Sequence, residues 1–175
     1  MKPLAFILLI VVFTFIGCST NPKSISELKF NGIVAQSEKE PGTLYYLIGN
    51  GFNIATSASS TDSIVNSWIQ KHPEALVQPI YAFGKNEVTM KFCLVFDGAD
   101  TLNNYLIRQG CYEANAMRIP NSWNEIIVDD RRLIESLPGE PFFEIYLGEE
   151  AQISFQEQIT AAENKAKKNK IGLWK

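Results

Sequence analysis

The 23 residues VTMKFCLVFDGADTLNNYLIRQG, from Val88 to Gly110, hold a strand, a turn and a helix in one continuous reading. Val88 to Phe96 is rich in β-branched and aromatic residues, the composition of a half-buried strand. Asp97-Gly98 punctuates it as a turn. Asp100 stands where a side-chain oxygen caps a helix, and Thr101 to Gln109 carries the helical run. Gly110 then occupies the C-terminal stop position, where a left-handed backbone favours glycine.

Working toward the N-terminus, Ala75 to Phe83 reads as a partner strand joined to Val88–Phe96 through Gly84-Lys85-Asn86. Pro73 stops a helix expected from Ser63 to Lys71, with Ser60-Thr61-Asp62 as caps and Ile64, Val65, Trp68 and Ile69 as its apolar stripe. Thr43–Ile48 and Phe52–Thr56 read as strands around the hairpin signal Gly49-Asn50-Gly51. Leu28–Gln36 alternates as a further strand. Toward the C-terminus, a loop-rich stretch runs to about Pro141. A long helix follows from Leu147 to Lys170, its buried face marked by Phe155, Ile159, Ala162 and Ala166. Five short strands, interleaved helices and a terminal helix predict an α+β domain. The expected architecture is an OB-type five-stranded Greek-key barrel with helices packed on it.

The first 18 residues say where such a domain would work. Lys2 gives a positive start, and Leu4–Ile16 is an apolar run of 13 residues. That is too short for a membrane span of about 20, and fits the core of an export signal. Phe15-Ile16-Gly17-Cys18 resembles a lipobox, with phenylalanine where leucine is usual. Residues 1–17 are therefore expected to be a lipoprotein signal peptide, with Cys18 the lipid-attachment residue. Residues 18–27 are expected to be a polar tether and 28–175 the domain. Ser19, rather than aspartate, follows the cysteine. In the Gram-negative sorting pattern this resembles, the expected location is the outer membrane, facing the periplasm.

Removing residues 1–17 leaves 15 basic and 19 acidic residues. A mildly acidic whole argues against a protein that coats nucleic acid over its entire surface. The exception is the C-terminus, where Lys165, Lys167, Lys168 and Lys170 crowd together with Lys175. They complement the helix dipole, and toward nucleic acid or lipid headgroups they are candidate phosphate-binding residues. Cys93 and Cys111 can form a disulfide in an oxidising periplasm, or remain buried thiols; spacing does not choose between them.

Two segments resemble a known family. Asp97-Gly98 followed by Leu102-Asn103-Asn104-Tyr105-Leu106-Ile107-Arg108-Gln109-Gly110 is similar to the "DG…N..LVRQG" segment of staphylococcal-nuclease-like (thermonuclease) domains. Ala161–Trp174 is similar to that family's closing "A...AK....GLW". The resemblance implies the OB-type barrel and, in the family, calcium-assisted phosphodiester hydrolysis with two arginines at the phosphorus centre. The chain departs from that chemistry. No arginine occurs before Arg108, no "DGDT" lies near Phe30–Thr56, and Gly84-Lys85-Asn86-Glu87 replaces the "YGR" segment. Lysine lacks the planar bidentate fork of arginine. Arg108 matches a helix position that is structural in the family.

The expectation is thus a domain without the family's catalytic constellation, acting as a binding or interaction module without a cofactor. Its partners would be the membrane, through the lipid, and an envelope protein or nucleic acid. The alternative is a calcium-dependent nuclease with a relocated site built from Arg118, Arg131, Arg132, Asp129 and Asp130. Local ion pairs in a solvated loop are the commoner explanation of those five residues. His72, the only histidine, reads first as a helix cap. Tyr45, Tyr46, Phe52 and Tyr81 read either as core or as a stacking platform for bases.

Overall fold

A computed structural model describes residues 21–47 and 58–175. Cys18, the signal peptide and the Gly49-Asn50-Gly51 and Phe52–Thr56 expectations lie outside them. The elements in chain order are β1 (Lys23–Ser24), β2 (Lys29–Asn31), β3 (Val34–Ser37), β4 (Glu40–Tyr46), α1 (Thr61–Lys71), β5 (Leu76–Lys85) and β6 (Val88–Asp97). There follow β7 (Asp100–Thr101), α2 (Leu102–Arg108), α3 (Val128–Glu135), β8 (Pro141–Ile145) and α4 (Glu149–Lys168). Short 3-10 turns fill several connections.

The fold is a mixed α+β arrangement around one curled sheet. Six strands run in the order β1-β5-β6-β4-β3-β2, with β7 added on β6 and β8 on β5. β2, β3 and β4 form an antiparallel meander, and β5–β6 form a long hairpin. The two units meet through a parallel pairing of β4 with β6, Thr43 opposite Thr89 through Tyr46 opposite Phe92. A parallel contact requires a crossover, and α1 supplies it.

One salt bridge reaches across the curled sheet. Lys23 on β1 and Glu40 on β4 are three strand spacings apart in the sheet order, about 14 Å if the sheet were flat. Lys23 Nζ nevertheless lies 2.7 Å from Glu40 Oε1. A bulge at Pro79–Tyr81 in β5 and another at Gln36–Ser37 in β3 supply the local bends. Pro79 lacks a donor, so a bulge is where a strand tolerates it.

Several sequence expectations change here. The strand expected over Leu28–Gln36 is two strands, because Gly32-Ile33 makes a two-residue hairpin turn between Asn31 and Val34, with Gly32 at φ +60°. The segment expected as tether, 18–27, already belongs to the domain at its described end: β1 pairs with β5, and Ile25 is buried. A Ser24–Glu27 capping box closes the 3-10 turn between β1 and β2. The five strands expected are eight among the described residues, and β8 occupies sequence that carried no strand assignment. Thr101, not Asp100, caps α2: its hydroxyl accepts the Asn104 N–H.

The core fills the concave side of the sheet and the seam under α2 and α4. Tyr46, Phe92, Tyr81 and Phe83 stack in succession, with Tyr81 and Phe92 centroids 4.3 Å apart. Offset aromatic pairs of this kind add about 0.5–1.5 kcal/mol beyond their area. Leu102, Leu106 and Ile107 of α2 are fully buried, as are Ile159 and Ala166 of α4. Phe155, Ile159, Ala162 and Ala166 are the buried side of α4, as the spacing predicts. No described helix is long and apolar enough to cross a membrane.

Candidate functional site

The motifs that resemble the nuclease-like family form a packing framework. Asn103 is 2% exposed and binds three backbone groups at once. Its Oδ1 accepts the Val95 N–H at 3.0 Å, and its Nδ2 donates to Leu47 O at 2.7 Å and Cys93 O at 2.9 Å. One side chain thus ties α2 to β6 and to the end of β4. Gly110, at φ +64°, and Gly172, at φ +61°, lie back to back. A Cβ on either would strike the other segment's carbonyl oxygen, and Leu173 N–H donates to Gly110 O at 2.9 Å. The two motifs, some 60 residues apart in sequence, are one contact in space.

Of the five residues of the alternative nuclease site, Arg118, Arg132 and Asp129 are held in local ion pairs. Arg118 pairs with Glu125 at 3.2 Å, and Asn121 donates to the same carboxylate. Arg132 lies 4.0 Å from Asp129 on the exposed side of α3. Asp130 turns the other way and is buried, with burial first and the Asp129 charge second raising its pKa. Arg131 is half-buried, with Nε enclosed and unpartnered. Arg108 reaches Asp100 at 3.5 Å and lies over Tyr105. Lys85 is buried and donates to Glu135 O, pinning the C-terminus of α3. Among the described residues, no group of three or more His, Cys, Asp or Glu side chains is arranged to hold a metal ion.

Two charged constellations escaped the sequence. Glu40 is a hub: Lys23 lies 2.7 Å away, Lys91 3.1 Å away, and the Tyr45 hydroxyl donates to Oε2. Burial raises the Glu40 pKa, but hydrogen bonds from Lys23, Tyr45 and Lys91 outweigh it and hold the carboxyl down to about 2. Tyr45 moves the other way, pushed up by burial and then by the Glu40 acceptor. No motif could have revealed this hub, because its members come from β1, β4 and β6. His72 does end α1 as expected, and it also stacks on Trp68 and bonds Asp97 through Nδ1 at 2.8 Å. Asp97 is 25 residues away, so no nearby carboxylate signalled it.

Tyr45, Tyr46 and Tyr81 are each 1% exposed, so they are core and offer no face to a base. Phe52 lies outside the described residues. Cys93 and Cys111 are both free thiols and buried. Burial raises the pKa of each. The space between Leu47, Ile80, Phe92, Cys93, Asn103, Met117 and Phe155 is too small to hold a water molecule.

The surface feature that remains is the C-terminal end of α4. Lys167 pairs with Glu163 at 2.7 Å and lies 4.4 Å over the Trp174 ring. Lys165, Lys168 and Lys170 are exposed and carry no ion-pair partner among the described residues. Ile171, Leu173 and Trp174 lie half-buried beside them. The result is a cationic end with an amphipathic border. Comparison with protein-family models and with curated proteins returns no match.

Proposed function

We propose that the chain is an outer-membrane lipoprotein, held by Cys18 and facing the periplasm. Its domain is a divergent OB-type barrel that binds an envelope partner and does not cleave phosphodiesters. The barrel reading draws support from one segment, residues 23–31, which pairs with β5 at one end and with β3 at the other, so both edges of the strand path lead back to it. A meander and a hairpin joined by a parallel contact, with a helix on the crossover, suits a partly open Greek-key barrel.

The observation that carries the functional reading is the engagement of the arginines by local carboxylates. Arg108, Arg118 and Arg132 are each engaged by a local carboxylate, and Arg131 lies half-buried on a different side of α3 from Arg132. Stabilising a phosphoryl transition state needs such groups aimed at one point. The resemblance to nuclease-like domains therefore extends to framework residues, Asn103, Gly110 and Gly172. The buried tyrosines favour a protein partner over a single nucleic-acid strand.

The test incubates a fragment beginning at Ser19 with labelled single- and double-stranded DNA, with and without calcium. No cleavage is expected. Calcium-dependent cutting that disappears in an Arg131→Lys/Arg132→Lys variant would overturn the reading.

A further inference from the structure

We infer that the cationic end of α4 is a membrane-docking surface that lies on the anionic phospholipid headgroups of the leaflet holding the anchor. The inference deepens the proposed function and rests on its lipoprotein reading. β1 begins at Lys23, so only four residues, Ser19 to Pro22, lie between Cys18 and the first strand, five backbone steps in all. Fully extended, five residues span at most about 18 Å. The domain is thus held within about two Debye lengths of the bilayer at physiological ionic strength.

The basic end is close to that attachment point. β1 is two strand spacings from β6, about 10 Å. β6 leads through β7 into α2, whose seven residues cover about 10 Å and finish at the Gly110–Gly172 contact. The start of β1 and the Gly110–Gly172 contact beside the basic end therefore lie within about 20 Å of each other, a separation the tether can accommodate with both at one plane.

Chemistry selects the surface. Lys165, Lys168 and Lys170 are exposed and unpaired among the described residues, whereas Lys23, Lys29, Lys39, Lys91 and Lys167 are each engaged by a carboxylate. Of the acidic residues of α4, Glu149, Glu150 and Glu157 stand toward its other end, up to about 30 Å away, while Glu163 is taken up by Lys167 and the Ala114 N–H. Half-buried Ile171, Leu173 and Trp174 border the lysines with apolar and indole surface, the combination that suits a headgroup boundary. An acyl anchor gains firmness from a second, polybasic signal. Duplex DNA offers similar charge, but neither the tether nor the apolar border favours it.

The test uses the fragment from Ser19, which retains every described element and every buried core residue. Its folding is checked by circular dichroism, and its partitioning is measured with phosphatidylcholine vesicles with and without phosphatidylglycerol. Binding is expected only with phosphatidylglycerol, and it should weaken as ionic strength rises from about 0.01 M to about 0.15 M. A K165Q/K168Q/K170Q variant should partition about 100-fold more weakly, at about fivefold per lysine. A K29Q/K39Q/K71Q variant of equal net charge should stay within about threefold of the parent. Equal loss in both variants, no binding to anionic vesicles, or preference for duplex DNA over vesicles overturns the inference. The mass of the N-terminal peptide from cells reports separately on Cys18. Vesicle binding by the fragment, found together with an unmodified Cys18 in the protein from cells, would sustain the docking surface while removing the anchor.

Discussion

Replacing Asn103 by leucine should cost the domain a large part of its stability. Asn103 lies in a closed seam, 2% exposed, and its side chain engages Val95 N–H, Leu47 O and Cys93 O. Leucine is similar in size and fills the space, so the effect isolates polar loss from cavity formation. An unsatisfied buried group costs about 1–3 kcal/mol, and carbonyls retain a second lone pair, so the low end applies to each of the three. The sum is about 3 kcal/mol, a substantial fraction of the roughly 5–15 kcal/mol that holds a domain together. For a domain of this size the melting temperature should fall by roughly 6–12 °C. Circular dichroism melts and urea titrations of parent and variant at equal concentration measure it. Asn103→Asp separates the roles. It keeps the acceptor for Val95 but faces two carbonyl oxygens with a carboxylate, so its folded pKa should be raised. Protonation restores a donor, so the variant should be most stable below the unfolded carboxyl pKa and lose stability as pH rises. An Asn103→Leu melt within about 2 °C of the parent would refute the account of this residue.

Glu40→Gln should lower stability by about 1–2 kcal/mol at pH 7, the full shift being discounted for partial exposure. The Glu40 carboxyl is depressed to about 2 from 4.5, so its contribution is complete above pH 4.5 and disappears as pH falls toward 2. Parent and variant should therefore converge in acid titrations followed by fluorescence. Gly172→Ala places a side chain at φ +61° against Gly110 O and should cost at least about 2 kcal/mol, read as a lower melting temperature; an unchanged melt counts against the back-to-back contact. Cys93 and Cys111 are buried with raised pKa values, so native protein should resist a thiol reagent and react at both sites in denaturant.

Local signals were legible where one segment determines its own structure. β6, the Asp97-Gly98 turn, α2 with Gly110 as its stop, and the buried face of α4 follow from period, turn chemistry and caps. The β2–β3 division lies at Gly32-Ile33, yet alternation through Gln36 hid it, because a two-residue turn barely interrupts the pattern. β8 was hidden for another reason. Pro141 opens it, and its pairing with β5 through residues 81–85 is a long-range match that no local period reports. The site was less legible still. The Glu40 hub gathers three strands, and His72 finds its carboxylate 25 residues away. Conversely, the dense Asp129-Asp130-Arg131-Arg132 run invited a functional reading. A helix distributes consecutive residues around its axis, so α3 sends Asp130 inward and leaves Arg132 outside.

The contact between Gly110 and Gly172 also sets an order of events. Gly172–Trp174 emerges from the ribosome after every strand and helix it helps to hold, and its partner lies some 60 residues earlier. Until that turn arrives, the end of α2 has no seat and α4 lacks its closing lock. Closing so long a loop carries an entropic cost that only the finished seam repays.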